Sequence, residues 1–195
     1  MNLKDLVKNS KKFALSEIKK YNPDFEDFYF IPVPIGIELA KKLNADVDIV
    51  KIGLYLMDCK VLQAQKEGII EKHVEMSVEA TKEILKDYDI SEEIKNNIIN
   101  CVEAHHGTKE YISIEAEICA NADCYKFIHP KGVFTYASML GRRFNDINKE
   151  LEQLEYKLDE KYNVISLEIV KEELEEYYYQ FKNMIKNAKG EKQWK

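Results

Sequence analysis

Arginine is almost missing from this 195-residue chain: of its 29 basic residues, only Arg142 and Arg143 are not lysine. There is no basic run and no basic, aromatic-studded face, and the net charge is −6. A dedicated nucleic-acid binder needs a cationic surface, so the expectation is no nucleic-acid partner. Glycine (7) and proline (4) are scarce, which predicts long helices with few turns. The four cysteines, Cys59, Cys101, Cys119 and Cys124, form no Cys-x-x-Cys and no disulfide-like framework. Their apolar neighbours predict reduced, buried core residues. No apolar run approaches transmembrane length and the N-terminus has no signal-peptide core, so a soluble cytoplasmic protein with no membrane partner is expected. Neither strand-like alternation, nor a repeat, nor a low-complexity segment is evident.

What is there is a globular mix, 45% hydrophobic and 33% charged, long enough for one all-α domain with a substantial core. Apolar spacing predicts an N-terminal helix within 1–22, with Leu3, Leu6, Val7, Phe13, Ala14 and Ile18 on one face and Asn22-Pro23 as its stop. A helical core follows over 23–145, and further helices with a frayed tail over 146–195. Within the core, the aromatic cluster Phe25–Phe30 and the prolines Pro32 and Pro34 delay a helix until about Ile35. Asp46 is placed to cap a helix that is apolar nearly all round and closes at Asp58-Cys59-Lys60. Gln63–Gly68 reads as a loop, and a helix is expected from about Ile69 to Tyr88. Two more helices begin at Ser91 and Ser113, and Gly107 suits the end of the first. After a turn at His129–Gly132, helical spacing runs through Phe134, Met139, Leu140 and Phe144, then Ile147, Leu151, Leu154 and Leu158. Ser166 is expected to cap the last helix, with fraying from about Asn187.

The candidate functional residues are polar groups on apolar stripes. His105 ends the stripe Ile94, Ile98, Cys101 or Val102, with His106 beside it. Asp123 shares a face with Ala116, Ala120 and Phe127. An unpaired buried carboxylate is costly, so Asp123 needs a partner or a proton. Asp58 closes the apolar helix, and His73 lies at the edge of a core face. Imidazoles and carboxylates from separate helices suggest a metal or acid–base site. The competing reading is histidines finishing a helix C-terminus and an aspartate paired with a lysine. Arg142 and Arg143 suit bidentate binding of a carboxylate or phosphate, or an ordinary salt bridge.

In order and context this set resembles the HD superfamily of all-helical, metal-dependent phosphohydrolases, over roughly residues 25–145. Val50-Lys-Ile-Gly-Leu-Tyr-Leu-Met57-Asp58 looks like the family's His-Asp helix, and His73-Val-Glu-Met-Ser77 is similar to its third-His helix. Ile98–His106 matches the next element and Ala120-Asn-Ala-Asp123 the last. Two family ligands are absent: Met57 stands where the paired His belongs, and the first His should fall near Phe28–Phe30. The resemblance implies an HD-type helical bundle with a C-terminal extension, and a divalent ion (Mn, Fe, Zn or Mg) that is absent if the centre is degenerate. Its ligands would come from Asp58, His73, His105, His106 and Asp123, with Asp58, Asp123 and His106 as the catalytic groups. Lys60, Lys126, Arg142 and Arg143 would offset phosphate charge. The expected substrate is a nucleotide or other small phosphate ester. The alternative is an inactive HD-fold protein that binds a phosphorylated small molecule or a protein partner. A third reading makes Tyr177-Tyr178-Tyr179 and the C-terminal helices a contact surface, and homo-oligomers are compatible with any of these.

Overall fold

The computed structural model describes residues 3–21 and 26–190, and it is all-helical, with no strand among them. The expected stop at Asn22-Pro23, the residue Phe25 and the tail beyond 190 lie outside the described residues. In chain order the helices are α1 (Leu3–Tyr21), α2 (Glu26–Phe30), α3 (Pro32–Lys42), α4 (Val47–Leu56) and α5 (Val61–Glu67). After a 3-10 turn at Ile70–Lys72 come α6 (His73–Lys86), α7 (Glu92–Glu103), α8 (Ile114–Ile128), α9 (Pro130–Phe144), α10 (Ile147–Val164) and α11 (Glu168–Lys189).

Two helices form the middle. α4 buries Ile49, Val50, Ile52, Gly53, Leu54 and Leu56 and packs on α1, α3, α7 and α8. Each large side chain buried there contributes roughly 1.5–3 kcal/mol of transfer free energy. α8 is buried nearly all round and packs on α3, α7, α9, α10 and α11. Its small residues, Ala116, Cys119, Ala120, Ala122 and Cys124, are fully buried and let neighbours approach closely. Gly53 marks the tightest approach of α4. A Cβ there would stand 2.5 Å from Cys101 Cβ on α7 and 2.9 Å from Cys119 Sγ on α8.

The helix starts are chemically set. Asp46 accepts hydrogen bonds from the amides of Asp48 and Ile49, Ser91 from that of Ile94, and Ser113 from that of Ala116. Gly107 has φ 67°, the left-handed backbone expected of the residue that turns the chain after a helix.

Four local expectations are corrected. Residues 61–67, expected in part as a loop, form α5, which ends at Gly68 in the left-handed region (φ 76°). α3 starts at Pro32 rather than Ile35, because proline is tolerated in a helix's first turn, where its missing N–H is no loss. Ser166 does not cap α11; its amide and that of Leu167 donate to Asn121 Oδ1, and its hydroxyl donates to Glu117. α11 continues through Asn187 to Lys189. No described helix is long and apolar enough to cross a membrane.

Candidate metal centre

The turn after α7 carries His105 and His106, and the first residue of α6 is His73. Their ring nitrogens come within 4.8 Å of one another, an arrangement that could hold a metal ion. Each imidazole has one nitrogen already committed. His105 Nδ1 lies 2.6 Å from the carbonyl of Val102, and His73 Nδ1 lies 2.7 Å from that of Ile70. His106 Nδ1 lies 2.9 Å from Glu160 Oε1. All three partners are oxygens that only accept, so each Nδ1 carries the proton and donates, and each Nε2 keeps a lone pair. The Val102 carbonyl lies in the last turn of α7, where such groups have no helical partner, whereas that of Ile70 also accepts the backbone amide of His73.

The three lone pairs face a shared space. His73 Nε2 is 3.2 Å from His106 Nε2, a repulsive contact between two acceptors unless a cation or proton lies between them. His105 Nε2 is buried without a hydrogen-bond partner. Asp58, in the turn after α4, brings Oδ1 to 3.5 Å from His105 Nε2 and 3.6 Å from His73 Nε2, too long for good hydrogen bonds. Burial pushes His106 down to about 4, and the Glu160 carboxylate only partly opposes this. Burial likewise lowers His73, against the pull of Asp58. Both rings are therefore neutral near pH 7, the form that binds metal. The residues present fit an ion held by three imidazoles, with Asp58 Oδ1 beside two of them.

Beside this centre lies a chain of buried ion pairs. Lys126, one turn beyond Asp123 on α8, places Nζ against Asp58 Oδ2 and 2.6 Å from Asp123 Oδ1. Lys161 of α10 places Nζ 2.7 Å from Asp123 Oδ2. Lys126, Lys161 and Asp123 are almost wholly buried. Burial alone would raise Asp123, but the two ammonium groups hold it well below the usual carboxylate range. Asp58 is held low in the same way, against its burial, by the Lys126 ammonium. The rings of Phe28 and Phe127 stand 5.7 and 5.5 Å from Lys126 Nζ, with their faces available to the cation.

A cavity of about 360 Å³ opens onto Asp58, His73, His106, Asp123, Lys126 and Lys161. Phe28, Tyr29, Phe127, Tyr136 and Tyr156 form much of its wall, and Arg143 and Lys157 also line it. Thus Phe28 and Tyr29 face the cavity near where the resemblance places its first histidine. Met57 is fully buried in the main core.

Of the residues singled out from sequence, Asp58, His73, His105 and His106 converge, and Asp123 joins them through Lys126. Both arginines are exposed; Arg143 lines the cavity and Arg142 does not. Lys60 points away, with Nζ 2.6 Å from Glu17 Oε2 and 3.1 Å from Gln63 Oε1. Its pairing with a buried acid of α1 commits it elsewhere. Sequence reasoning missed Glu160 and Lys161. The signal for Lys161 was its position, one step along the stripe Leu151, Leu154, Leu158, where an apolar residue was due.

No family model matches the chain. A 93-residue stretch is 34% identical to Ribonuclease Y of Finegoldia magna. That stretch covers 47% of this chain but only 16% of Ribonuclease Y. No solved structure matches.

Proposed function

We propose that this chain is an HD-type metal-dependent phosphohydrolase with a single-ion centre at His73, His105, His106 and Asp58, acting on a nucleotide or other small phosphate ester. The observation that carries it is the convergence of three Nε2 lone pairs, each fixed by an oxygen acceptor on the opposite ring nitrogen. The partial likeness to Ribonuclease Y, an HD-containing protein, supports the same class. Three imidazoles with one carboxylate suit Zn, Fe or Mn better than Mg. A divalent ion held there supplies Lewis acidity toward a phosphoryl oxygen and toward water.

The chain's own groups do the rest. Lys126 and Lys161 neutralise Asp58 and Asp123, so that a phosphate is not repelled from the cavity floor. Arg143 supplies a cation for the phosphate at the cavity wall, where Lys157 is already paired with Glu160 Oε2 at 2.7 Å. The aromatic wall excludes water and offers flat surfaces to a planar leaving group. Asp123, held by two ammonium groups, is a weak base. His106 Nε2 is the better-placed proton acceptor if it is not itself a ligand. A small ester fits a cavity of about 360 Å³ and the chain's net charge of −6 better than a polynucleotide does.

Metal analysis of the purified protein, joined to a hydrolysis panel of phosphomonoesters, diesters, nucleotides and an RNA oligomer with Mn, Fe, Zn or Mg, tests this reading. Bound metal, metal-stimulated hydrolysis of a small ester and loss of both in His105→Ala are expected. In His106→Ala, lost metal marks a ligand, and retained metal with lost turnover marks the base. Absence of bound metal and of metal-stimulated hydrolysis overturns the proposal.

One observation favours a second reading, a binding protein without chemistry: the Lys126 ammonium itself neutralises Asp58 and Asp123. A thermal shift on adding nucleotides that survives chelation, without turnover, would select it.

A further inference from the structure

We infer that Lys126 is a tethered cation filling the space between Asp58 and Asp123, and that this ammonium keeps a divalent ion out of a position the two carboxylates would otherwise hold. The inference rests on the centre proposed above only in sharing Asp58 with it.

The geometry is that of a cation site already taken. Asp58 Oδ2 and Asp123 Oδ1 come from different helical segments and meet at one atom, Lys126 Nζ. Asp123 Oδ1 is buried, and the Lys126 ammonium 2.6 Å away is its compensation. The other oxygen of Asp123 is covered by Lys161, and Asp58 Oδ1 faces the histidines. Each aspartate therefore divides its two oxygens between the Lys126 position and a different neighbour. Lys126 Nζ also lies near two aromatic faces, surroundings that suit a cation of any kind. Two buried carboxylates cannot remain charged side by side without positive charge between them. Here that charge is covalently attached, and it does not depend on ion supply. Removal of the Lys126 side chain would leave two oxygens around a vacated volume, where a hard ion that keeps several waters, such as Mg²⁺, needs only one or two carboxylates.

The test uses Mg²⁺, which the imidazole-rich centre disfavours. Equilibrium dialysis with elemental analysis counts Mg²⁺ per chain for the parent, Lys126→Ala, and Lys126→Ala/Asp123→Asn, and thermal melts are run with and without Mg²⁺. Lys126→Ala should gain one Mg²⁺ per chain over the parent. At a roughly hundredfold excess over Kd, its melting temperature should rise by about 5–10 °C. The double variant, with one carboxylate neutralised, should fold without Mg²⁺ and show neither gain. An unchanged count with a Mg²⁺-independent melt in Lys126→Ala overturns the inference. So does a Lys126→Ala protein that cannot be recovered folded in excess Mg²⁺, because the ion would then fail to do what the ammonium does. Since the result is a difference between variant and parent, a parent free of metal would sink the hydrolase reading and leave this one standing.

Discussion

Asp123→Asn is the sharpest test of the buried charge network. The substitution keeps the side-chain shape and removes one negative charge from between two ammonium groups. Lys126 would retain Asp58, but Lys161, 1% exposed, would keep only Glu160 Oε1, 3.9 Å away. Breaking a buried pair by removing one partner costs about 3–5 kcal/mol, because the other charge is left uncompensated. For a chain of this size each kcal/mol lowers the melting temperature by about 2–4 °C, so a fall of about 10 °C is expected. The magnitude should shrink when the stranded charge is also removed. Asp123→Asn/Lys161→Met should therefore be more stable than the sum of its single variants predicts, with a coupling energy above about 1 kcal/mol. Melts and urea titrations at pH 7, in chelator so that bound metal does not contribute, measure all four proteins. A melting temperature within about 2 °C of the parent for Asp123→Asn, or a cycle additive within about 0.5 kcal/mol, would refute the claim that Asp123 is the counter-ion of Lys161.

Further outcomes follow from other contacts. Burial would raise Glu17, but Lys20 and Lys60 hold it below its usual 4.5, so its contribution is present above pH 4.5 and lost as pH falls through the depressed value. Glu17→Gln should accordingly flatten the acid side of the stability profile, as read by urea titrations at stepped pH. Asn100 donates to the Glu110 carbonyl and accepts from the Ile112 amide, bracing the loop that follows the two histidines. Asn100→Ala should cost about 1–3 kcal/mol, seen by denaturation, and weaken metal retention in dialysis. A Cβ at Gly132 would overlap the carbonyl oxygens of Tyr125 and Lys126. Gly132→Ala should lower stability by about 1–3 kcal/mol through displacement of α9 against α8, checked by calorimetry.

The sequence was most legible where polarity broke a period. Asp58, His73, His105 and Asp123 each interrupt or bound an apolar stripe, and each helix carrying them formed close to where spacing put it. The all-helical class followed from the same periodicity. Short elements were harder to see: α5 has only seven residues, too few to repeat a helical pattern. The lysines were hardest, because a lysine in a lysine-rich chain reads as solvated surface. Lys126 and Lys161 are buried because Asp58, from the turn after α4, and Asp123 of α8 meet them there, a fact held in tertiary structure. Lys60, a candidate for phosphate, turned instead to Glu17, an acid 43 positions away in the chain.

α10 lies beyond the segment whose motifs drew attention, yet it packs on α8 and provides Lys161 and Glu160. One of these balances the innermost aspartate and the other orients an imidazole. A protein cut after α9 would thus lose more than a cover: the proton on His106 and the charge state of Asp123 would both be reset. The ionisation of the histidine cluster and C-terminal length should vary together, and any shortened version should be judged on its ionisation behaviour before its folding.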